Sequence, residues 1–442
     1  MTATVNFHEL AKLSIAERAR LLERTEADLS HIEAPVRAII AAVRSEGDAA
    51  LVRFARQFDK APVAPESLKA SPADFARAEQ ALAPEVREAM EFAAHSIRRF
   101  HQDQMPEEMW LHEIRPGAFA GDRIRPIPSV ACYVPRGKGA FPSVAMMTAI
   151  PARIAGVKEV CIITPPGPDG RFDDATLVAA RIAGVANVFK AGGAQAVAAV
   201  AFGTATVPKC AKIIGPGSPW VAAAKRALAH VIDTGTPAGP SELIVLADDT
   251  IDGRLAALDM LIESEHGPDS SVYLVTWSRR VAEAARAAIP GYWQQMGAQR
   301  AGFSSAVLSG RFGGIVLAPG EDAAIAFVND YAAEHLQVLA KEPFRYLGKL
   351  EHAGEILLGE HTPTTLGNYV IGPNHVLPTN RWARTASAVS VFDFLKRTSI
   401  AYVTSAGYPE LARHAHTLAT YEGFVGHANA VSGLRETILK GS

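Results

Sequence analysis

The sequence predicts an α/β protein built from two Rossmann-like units, with small helical additions at both ends. From residue 129, short β-branched runs alternate with alanine-rich helical segments, and a second series of the same kind begins at residue 241. Apolar strands joined through Gly/Pro loops to helices are typical of βαβ units on parallel sheets. Before both series, residues 1–115 carry apolar residues at three- and four-residue intervals, which predicts helices.

The elements can be read in chain order. N-terminal helices are predicted within 36–58 and 84–104. The strands predicted for the first unit are SVACYV (129–134), EVCIIT (159–164), NVFK (187–190) and AKIIG (211–215). The segments predicted for the second unit are SELIVLADD (241–249), a helix ending in ALDMLIESEH (257–266), SVYLVTW (271–277), RRVAEAARAAI (279–289), GGIVLAPG (313–320), the helix EDAAIAFVNDYAAEHL (321–336) and GEILLGE (354–360). The chain is predicted to end helically, through LARHAHTLATYEG (411–423).

Composition excludes several classes of protein. The chain has 442 residues, a net charge of −2 and a pI of about 6.7, so it lacks the basic footprint of a nucleic-acid-binding protein. The N-terminus has no apolar signal core, and no apolar run is long enough to span a membrane. We therefore expect a soluble cytoplasmic protein. The lone cysteines Cys132, Cys161 and Cys210 fit neither a disulfide framework nor a cysteine zinc site, and we interpret them as small buried residues.

Glu263 and His266 are three residues apart at the end of a predicted helix, so they share one helix face. Such a pair can bind a metal, or it can be an ordinary solvated helix end. Glu334 and His335 can supply a water-activating carboxylate and a general base to one pocket, or they can be unremarkable neighbours. Spacing alone leaves both alternatives open.

Two loops offer further polar groups. Residues 367–379 hold His375, and residues 421–428 hold Glu422 and His427. Zinc takes imidazole and carboxylate ligands, commonly from distant segments, so a site assembled from these loops is one hypothesis. No GxGxxG follows a strand, and the glycine turns at 192–195 and 215–217 are weak indications of a dinucleotide site.

Ordered blocks along nearly the whole chain resemble the histidinol dehydrogenase family. These blocks lie at 36–59, 100–106, CYVPRGKGAFPSVAMMTAIPARIAGV (132–157), KAGGAQAVAAVAFGTATVPKCAKIIGPG (190–217), AGPSELIVLAD (238–248), SEHGPDS (264–270), NDYAAEHL (329–336), GPNHVLPT (372–379), FLKRTS (394–399) and EGFVGHA (422–428). So many blocks in one order are far more specific than any single motif.

The resemblance implies a zinc-containing, NAD-dependent homodimer with two incomplete Rossmann-like domains and an active site shared between subunits. Such enzymes oxidise a primary alcohol through a bound aldehyde to a carboxylate, in two hydride transfers. The implied organisation is a helical N-terminal segment (1–27), a first Rossmann-like domain with the metal site (28–131 plus 240–385), a second with the cofactor contacts (132–239), and a C-terminal helical domain that reaches the partner subunit (386–442).

The resemblance also implies a role for each matching side chain. His335 is the expected general base and Glu334 the expected activator of water. The expected metal ligands are Glu263, His266, Asn368 and His427; the expected substrate contacts are Ser241, His375, Glu422 and Arg136; the expected cofactor contacts are Tyr133, Gln195 and Ser218.

The chain departs from the family pattern at four of these positions. Glu263 replaces a glutamine ligand and Asn368 replaces an aspartate ligand, so the summed charge of the expected metal site is unchanged. Ser218 replaces an asparagine in the cofactor turn. Arg136 stands in a glycine position after YVP. It is interpreted either as a surface or cofactor-phosphate contact, or as a contact for an anionic substrate group.

L-Histidinol is the first predicted substrate, and another small polar or anionic alcohol, such as sulfopropanediol, is the alternative. Two other classes stay open at this point. A metal hydrolase built on Glu263, His266 and His427 would work without NAD. A non-catalytic dinucleotide-binding relative would not depend on His335 at all.

Overall fold

The computed structural model describes residues 4–24, 29–136, 139–236 and 238–441; the predicted boundary at 27/28 lies partly outside them. The helices in these ranges are α1 (Ile15–Leu21), α2 (Ser30–Glu46), α3 (Asp48–Phe58), α4 (Pro72–Ala81), α5 (Pro84–Asp103), α6 (Pro142–Ile154), α7 (Asp174–Ile182), α8 (Gly193–Phe202), α9 (Pro219–Leu228), α10 (Gly253–Ser264), α11 (Arg279–Trp293), α12 (Ala298–Leu308), α13 (Glu321–Tyr331), α14 (Phe344–Leu347), α15 (Thr364–Tyr369), α16 (Tyr408–Tyr421), α17 (Val425–Ala430) and α18 (Gly433–Gly441). The strands are β1 (Phe7–Glu9), β2 (Met109–Arg115), β3 (Ala118–Pro126), β4 (Ser129–Tyr133), β5 (Glu159–Thr164), β6 (Val188–Lys190), β7 (Lys212–Ile214), β8 (Glu242–Ala247), β9 (Ser271–Thr276), β10 (Gly313–Leu317), β11 (His335–Leu339), β12 (Glu355–Leu358) and β13 (Leu395–Val403).

A six-stranded parallel sheet has the order β1-β10-β9-β8-β11-β12. Its central strands are apolar at nearly every position because helices cover both faces. Leu243 and Val245 of β8 pack with α10, α11 and α12, whereas Ile244 and Leu246 pack with α13 on the other face. Alternate residues of one strand therefore belong to two separate cores, as the two-residue period of a strand requires.

A four-stranded parallel sheet has the order β6-β5-β4-β7. From β4 the chain adds strands on one side and then returns to place β7 on the other. Dinucleotides bind at the carboxyl ends of strands where the strand order reverses in this way. Helices α2, α3, α8 and α9 contribute to the core on one face, and α6 packs against β4 and β5. The predicted fold class, two Rossmann-like α/β units, is confirmed.

A three-stranded antiparallel sheet, in the order β13-β3-β2, was not predicted. It belongs to a second compact unit, residues 105–126 with 395–442, which also holds α16 to α18. Every residue of β2 is exposed in this chain, so the strand lacks the apolar alternation that sequence analysis depends on. Strand β13 lies in a region for which the sequence predicted only helix. The predicted domain boundaries stay predictions.

The predicted helix at 321–336 is wrong at its end. Helix α13 stops at Tyr331, and Ala332 takes a left-handed conformation with φ of 53°. His335 then begins β11, which lies between β8 and β12 in the six-stranded sheet. Hydrogen bonds to two neighbouring strands outweigh the local helical pattern. No helix among the described residues is long and apolar enough to cross a membrane.

Candidate active site

The candidate catalytic side chains gather where β8, β11 and β12 begin. These strands are parallel, and the ladder places His335 beside Leu243 on one side and beside Glu355 on the other. Ser241 directly precedes β8, and Glu334 directly precedes β11. Helix α10 runs back along the sheet, so its C-terminal turn ends at the same edge. The C-terminus of a helix carries partial negative charge, which favours a cation there.

Glu263, in the last turn of α10, is the most buried acid of this cluster, with 1 % exposure. Its Oε1 accepts a hydrogen bond of 2.8 Å from Asn368 and lies 3.9 Å from His335 Nε2. Burial raises the pKa of Glu263, but the charge and hydrogen bond of His266, with the charge of His335, outweigh it and bring the pKa to about 2. The carboxylate is therefore ionised at neutral pH.

His266 follows the end of α10 and stays close to Glu263. Helix α10 stops at Ser264, two residues earlier than the predicted end, yet His266 Nδ1 lies 2.7 Å from Glu263 Oε2 and 2.9 Å from Ser241 Oγ. This contact with His266 is the close polar contact of Glu263 Oε2. Burial lowers the pKa of His266, but Glu263 raises it by its charge and hydrogen bond. A carboxylate oxygen and an imidazole nitrogen held this close to one another can also serve as two ligands of one cation.

Helix α15 carries Asn368 to this edge and also fixes His375. The Asn368 side chain is turned with its amide nitrogen towards Glu263, while its backbone carbonyl lies 2.5 Å from His375 Nδ1. Burial lowers the pKa of His375, so its ring is neutral near pH 7. Since Nδ1 must donate to the carbonyl, Nε2 is the acceptor nitrogen, and it has no partner among the described residues.

His335 has two carboxylates near its ring, one at each nitrogen. Nδ1 lies 3.1 Å from Glu355 Oε2, and Nε2 faces Glu263. Burial lowers the pKa of His335, but the hydrogen bond to Glu355 and the charges of Glu263 and Glu334 together raise it to about 9. Glu355, the second residue of the predicted strand GEILLGE, was not among the candidate site residues found by sequence analysis. A single Glu at the start of a half-buried edge strand gives no local signal of the ladder pairing that places it opposite His335.

Glu334 lies on the edge of the same cluster. Its Oε2 accepts a hydrogen bond of 2.8 Å from the backbone nitrogen of Glu242. Burial raises the pKa of Glu334 to about 8. The neighbouring Glu242 forms an ion pair of 2.9 Å with Arg24, and both side chains are 4 % exposed. Of the two acids Glu334 and Glu242, the charge of Glu242 is therefore compensated. The structure thus brings together Ser241, Glu263, His266, Glu334, His335, Asn368 and His375.

No three His, Cys, Asp or Glu side chains converge as a metal site within the described ranges. Glu263 and His266 lie close enough to be two ligands of one cation, and the Asn368 amide donates to Glu263. Glu422 and His427 lie in the second unit, at the end of α16 and within α17, and both are exposed. Their predicted roles stay predictions.

The predicted cofactor contacts lie at the other sheet, at the carboxyl ends of its strands. Tyr133 ends β4, and its hydroxyl accepts a 3.2 Å hydrogen bond from the backbone nitrogen of Gly193, at the start of α8. Gln195 is buried in the first turn of that helix. Gly215 has φ of +116°, and a Cβ there would lie 2.2 Å from the Tyr133 carbonyl oxygen. Glycine is therefore required to bring the turn that carries Ser218 against β4.

Arg136 lies at this cofactor edge rather than among the acid–base residues. Its guanidinium donates a 3.0 Å hydrogen bond to the carbonyl of Arg171 and packs against Gly167 in the turn after β5. This contact favours the cofactor-side interpretation. Its assignment to the substrate stays a prediction. The three cysteines are buried free thiols, as interpreted from the sequence.

A cavity of about 590 Å³ lies between the two edges. Its wall includes Gly215 and Gly217 from the cofactor turn, and Ser241 from the catalytic edge. Lys225 and Arg226 of α9 give the wall positive charge. A molecule in the cavity can therefore touch groups of both sheets at once.

Comparison with known proteins points to one family. The family model described as histidinol dehydrogenase matches residues 22–435. The "Histidinol dehydrogenase homolog 2" of Mesorhizobium japonicum is 61 % identical over 99 % of both chains, and the histidinol dehydrogenase of Synechocystis sp. is 49 % identical over 98 % of this chain and 99 % of its own. The crystal structure of histidinol dehydrogenase from Elizabethkingia anophelis is 31 % identical, with a TM-score of 0.92 over 99 % of both chains.

The raised pKa values of His335 and Glu334 predict that the metal-free protein loses stability as the pH rises. A group whose folded pKa exceeds its unfolded pKa contributes stability below the unfolded value and loses it as the pH passes the folded value. For His335 the window runs from 6.5 to about 9, and for Glu334 from 4.5 to about 8. Urea unfolding of chelator-treated protein should give a lower free energy of unfolding at pH 9 than at pH 6.5.

The variant His335→Asn measures how much of the loss of stability between pH 6.5 and pH 9 comes from His335. Its free energy of unfolding should depend less steeply on pH, so the difference between wild type and variant narrows from pH 6.5 to pH 9. A difference that widens over that range would contradict the assigned charge of His335.

Proposed function

The chain belongs to the histidinol dehydrogenase family, an oxidoreductase family, and on that premise we propose a zinc-containing, NAD-dependent enzyme that oxidises a primary alcohol through a bound aldehyde to the carboxylate. The observation that carries this proposal is the group formed by buried Glu263 and His335 with partly exposed His266 at one edge of the six-stranded sheet. It combines two potential metal ligands with a base whose Nε2 faces them.

Two side chains, His335 and Glu334, each carry out one proton transfer of the proposed reaction. His335 Nε2 faces the Glu263 side of the cluster. A cation bound at Glu263 would offset the acids that raise the pKa of His335, and the neutral ring then accepts the hydroxyl proton of the alcohol. Glu334 lies next to it in sequence, and is held by the Glu242 backbone nitrogen through one oxygen. A cation at Glu263 would also oppose the raised pKa of Glu334, and the other oxygen of the ionised carboxylate then takes a proton from the water that adds to the aldehyde. General acid–base groups of this kind contribute about 10²–10⁴-fold in rate.

Glu263 and His266 would hold the zinc ion, with His427 of a second copy as a further ligand. The buried negative charge of Glu263, the 2.7 Å approach of its Oε2 to His266 Nδ1 and the negative end of α10 all support a cation at this place. When bound, zinc supplies Lewis acidity that orients the alcohol and polarises the aldehyde. Asn368 orients Glu263 through its amide and is proposed as a weak ligand at most.

NAD is proposed to bind at the carboxyl edge of the four-stranded sheet, against Tyr133, Gln195 and Ser218. Helices α8 and α9 both begin at this edge. The backbone N–H groups of a helix N-terminus favour a pyrophosphate. Ser218 precedes α9 and its hydroxyl makes no capping hydrogen bond, which leaves it free to contact the cofactor. The cavity beside Gly215 offers the nicotinamide a path towards Ser241.

A homodimer is proposed because the second unit exposes a large apolar surface. Its exposed apolar side chains include Trp110, Ile114, Tyr402, Leu418, Tyr421 and Val425. Extended exposed apolar patches mark interaction surfaces. Glu422 and His427 lie among these residues, in α16 to α17, so a partner surface there could receive them.

L-Histidinol is the first proposed substrate, and the alternative is another small polar alcohol that carries an anionic group. The positive wall formed by Lys225 and Arg226 is the observation that favours the alternative. The pyrophosphate of NAD is the other anionic group that Lys225 and Arg226 could attract. A substrate screen therefore has to include both classes of alcohol.

Purified wild-type protein should form NADH with one of these alcohols, at about two NADH per alcohol consumed. The control His335→Asn should lower kcat by about 10²–10⁴-fold, because the proton acceptor is lost. Absorbance at 340 nm measures both the NADH yield of the wild type and the rate of the variant. Acid production without NADH would instead identify a hydrolase, and an unchanged rate in the variant would remove His335 from the mechanism.

Glu263→Gln should weaken zinc binding by at least about tenfold, because it removes the only anion among the proposed ligands. The matched control is Glu265→Gln, two residues further along and half-buried. Zinc content after dialysis against graded chelator measures the affinity. Equal zinc retention by Glu263→Gln and wild type would contradict the assignment of Glu263 as a ligand.

The proposed shared site predicts complementation between two inactive variants. His335→Asn and His427→Asn should each be inactive alone. Coexpressed, they should recover about a quarter of wild-type activity, because half of the randomly assembled dimers contain one intact site. Purified, differently tagged heterodimers measure this recovery directly and should reach about half of wild-type activity, because each contains one intact site of two. Heterodimers as inactive as either parent would show that both histidines serve the same chain.

A further inference from the structure

Glu355 and His335 form a buried pair that the proposed reaction has not yet used. The two residues are neighbours in the parallel ladder of β11 and β12, and Glu355 Oε2 lies 3.1 Å from His335 Nδ1. Their side chains are 7 % and 3 % exposed. A carboxylate so buried is costly unless its partner is fixed. The pair is therefore a defined contact between two strands and not a chance surface encounter.

Space for this carboxylate is provided by Gly367 in α15. A Cβ at that position would lie 2.9 Å from both Glu355 carboxylate oxygens, so any side chain there would displace them. The next residue, Asn368, donates to Glu263. One short helix thus sets the position of both carboxylates that flank the His335 ring, Glu355 at Nδ1 and Glu263 near Nε2.

We propose that Glu355 is a positioning residue that holds neutral His335 in the tautomer protonated on Nδ1. The inference rests on the proposed dehydrogenase function. Nδ1–H donates to Glu355, so the lone pair is on Nε2, which faces the Glu263 and His266 pair. The same arrangement of carboxylate, imidazole and reacting group operates where a carboxylate fixes the tautomer of a catalytic histidine.

The proton and electron pairs balance in this arrangement. The alcohol O–H bond breaks, and its proton goes to Nε2 of His335. NAD bound against Tyr133, Gln195 and Ser218 would supply the two-electron oxidant for the C–H electron pair, and the O–H electron pair would become the carbonyl π bond. The imidazolium keeps its Nδ1 hydrogen bond to the Glu355 carboxylate, which stays unprotonated throughout. Glu355 therefore never touches the substrate, and acts only through His335.

The variant Glu355→Gln tests the inference with a side chain of nearly the same volume. Its amide NH₂ group can donate to Nδ1, which would move the histidine proton to Nε2 and block the acceptor. We expect kcat to fall by about 10²–10⁴-fold, with KM for the alcohol changed by less than about threefold. A neutron crystal structure should show the His335 hydrogen on Nδ1 in wild type and on Nε2 in the variant.

The matched control is Glu351→Gln, the same change at an exposed glutamate four residues earlier, which should leave kcat unchanged. If Glu355→Gln keeps kcat within about threefold of wild type while His335→Asn is inactive, the pair is structural and the inference is overturned. A raised KM at unchanged kcat overturns it too. Failure of wild type to form NADH with any alcohol refutes the proposed function instead.

Gly367→Ala covers the case in which Glu355→Gln does not fold. It keeps the Glu355 charge but places a methyl group against both of its oxygens. We expect kcat to fall in the same direction, with KM retained. Gly302→Ala is the control, since a Cβ at that helical glycine would meet nothing within 4 Å. Wild-type kcat in folded Gly367→Ala would contradict the proposed role of Glu355.

Discussion

The buried carboxylate of Glu263 is the constraint on which the rest of the catalytic edge depends. An ionised carboxylate with 1 % exposure is tolerated only if charged or hydrogen-bonding partners surround it. Those partners come from three places: His266 just beyond α10, His335 at the start of β11, and Asn368 in α15. The need to compensate one charge therefore brings these elements to one point, and a bound cation would complete the compensation.

The proposed catalytic groups and the proposed cofactor groups lie at opposite kinds of edge of the two parallel sheets. The proposed proton-transfer and cation-binding groups lie where the strands of the six-stranded sheet begin, whereas the proposed cofactor groups lie where the strands of the four-stranded sheet end. The cavity between Gly215 and Ser241 connects the two. At the catalytic edge, the exchange of glutamine for Glu263 and of aspartate for Asn368 keeps the net charge but moves the anion onto α10. In the proposed zinc site, that relocation would change which substrate group is favoured beside the metal.

Much of the fold could be predicted from sequence because buried parallel strands are continuous apolar runs, as in β8 and β9. The Glu263 and His266 pair was predictable because its spacing is local. Strand β2 was not, since every residue of it is exposed in this chain. The strand position of His335 and its contact with Glu355 were not predictable either, because ladder pairing joins residues twenty positions apart. The local sequence pattern therefore predicts helices and core strands. The geometry around His335 depends on strand pairing between distant residues, which that pattern does not contain.

The location of the metal tests the account most directly. Crystals of protein purified without chelator, measured on both sides of the zinc absorption edge, give an anomalous difference map. The account predicts a peak at about 2.0–2.2 Å from a Glu263 carboxylate oxygen and from a His266 ring nitrogen, at the amino edge of the six-stranded sheet. A zinc peak away from Glu263, or full catalytic activity in crystals without any peak at that edge, would contradict it.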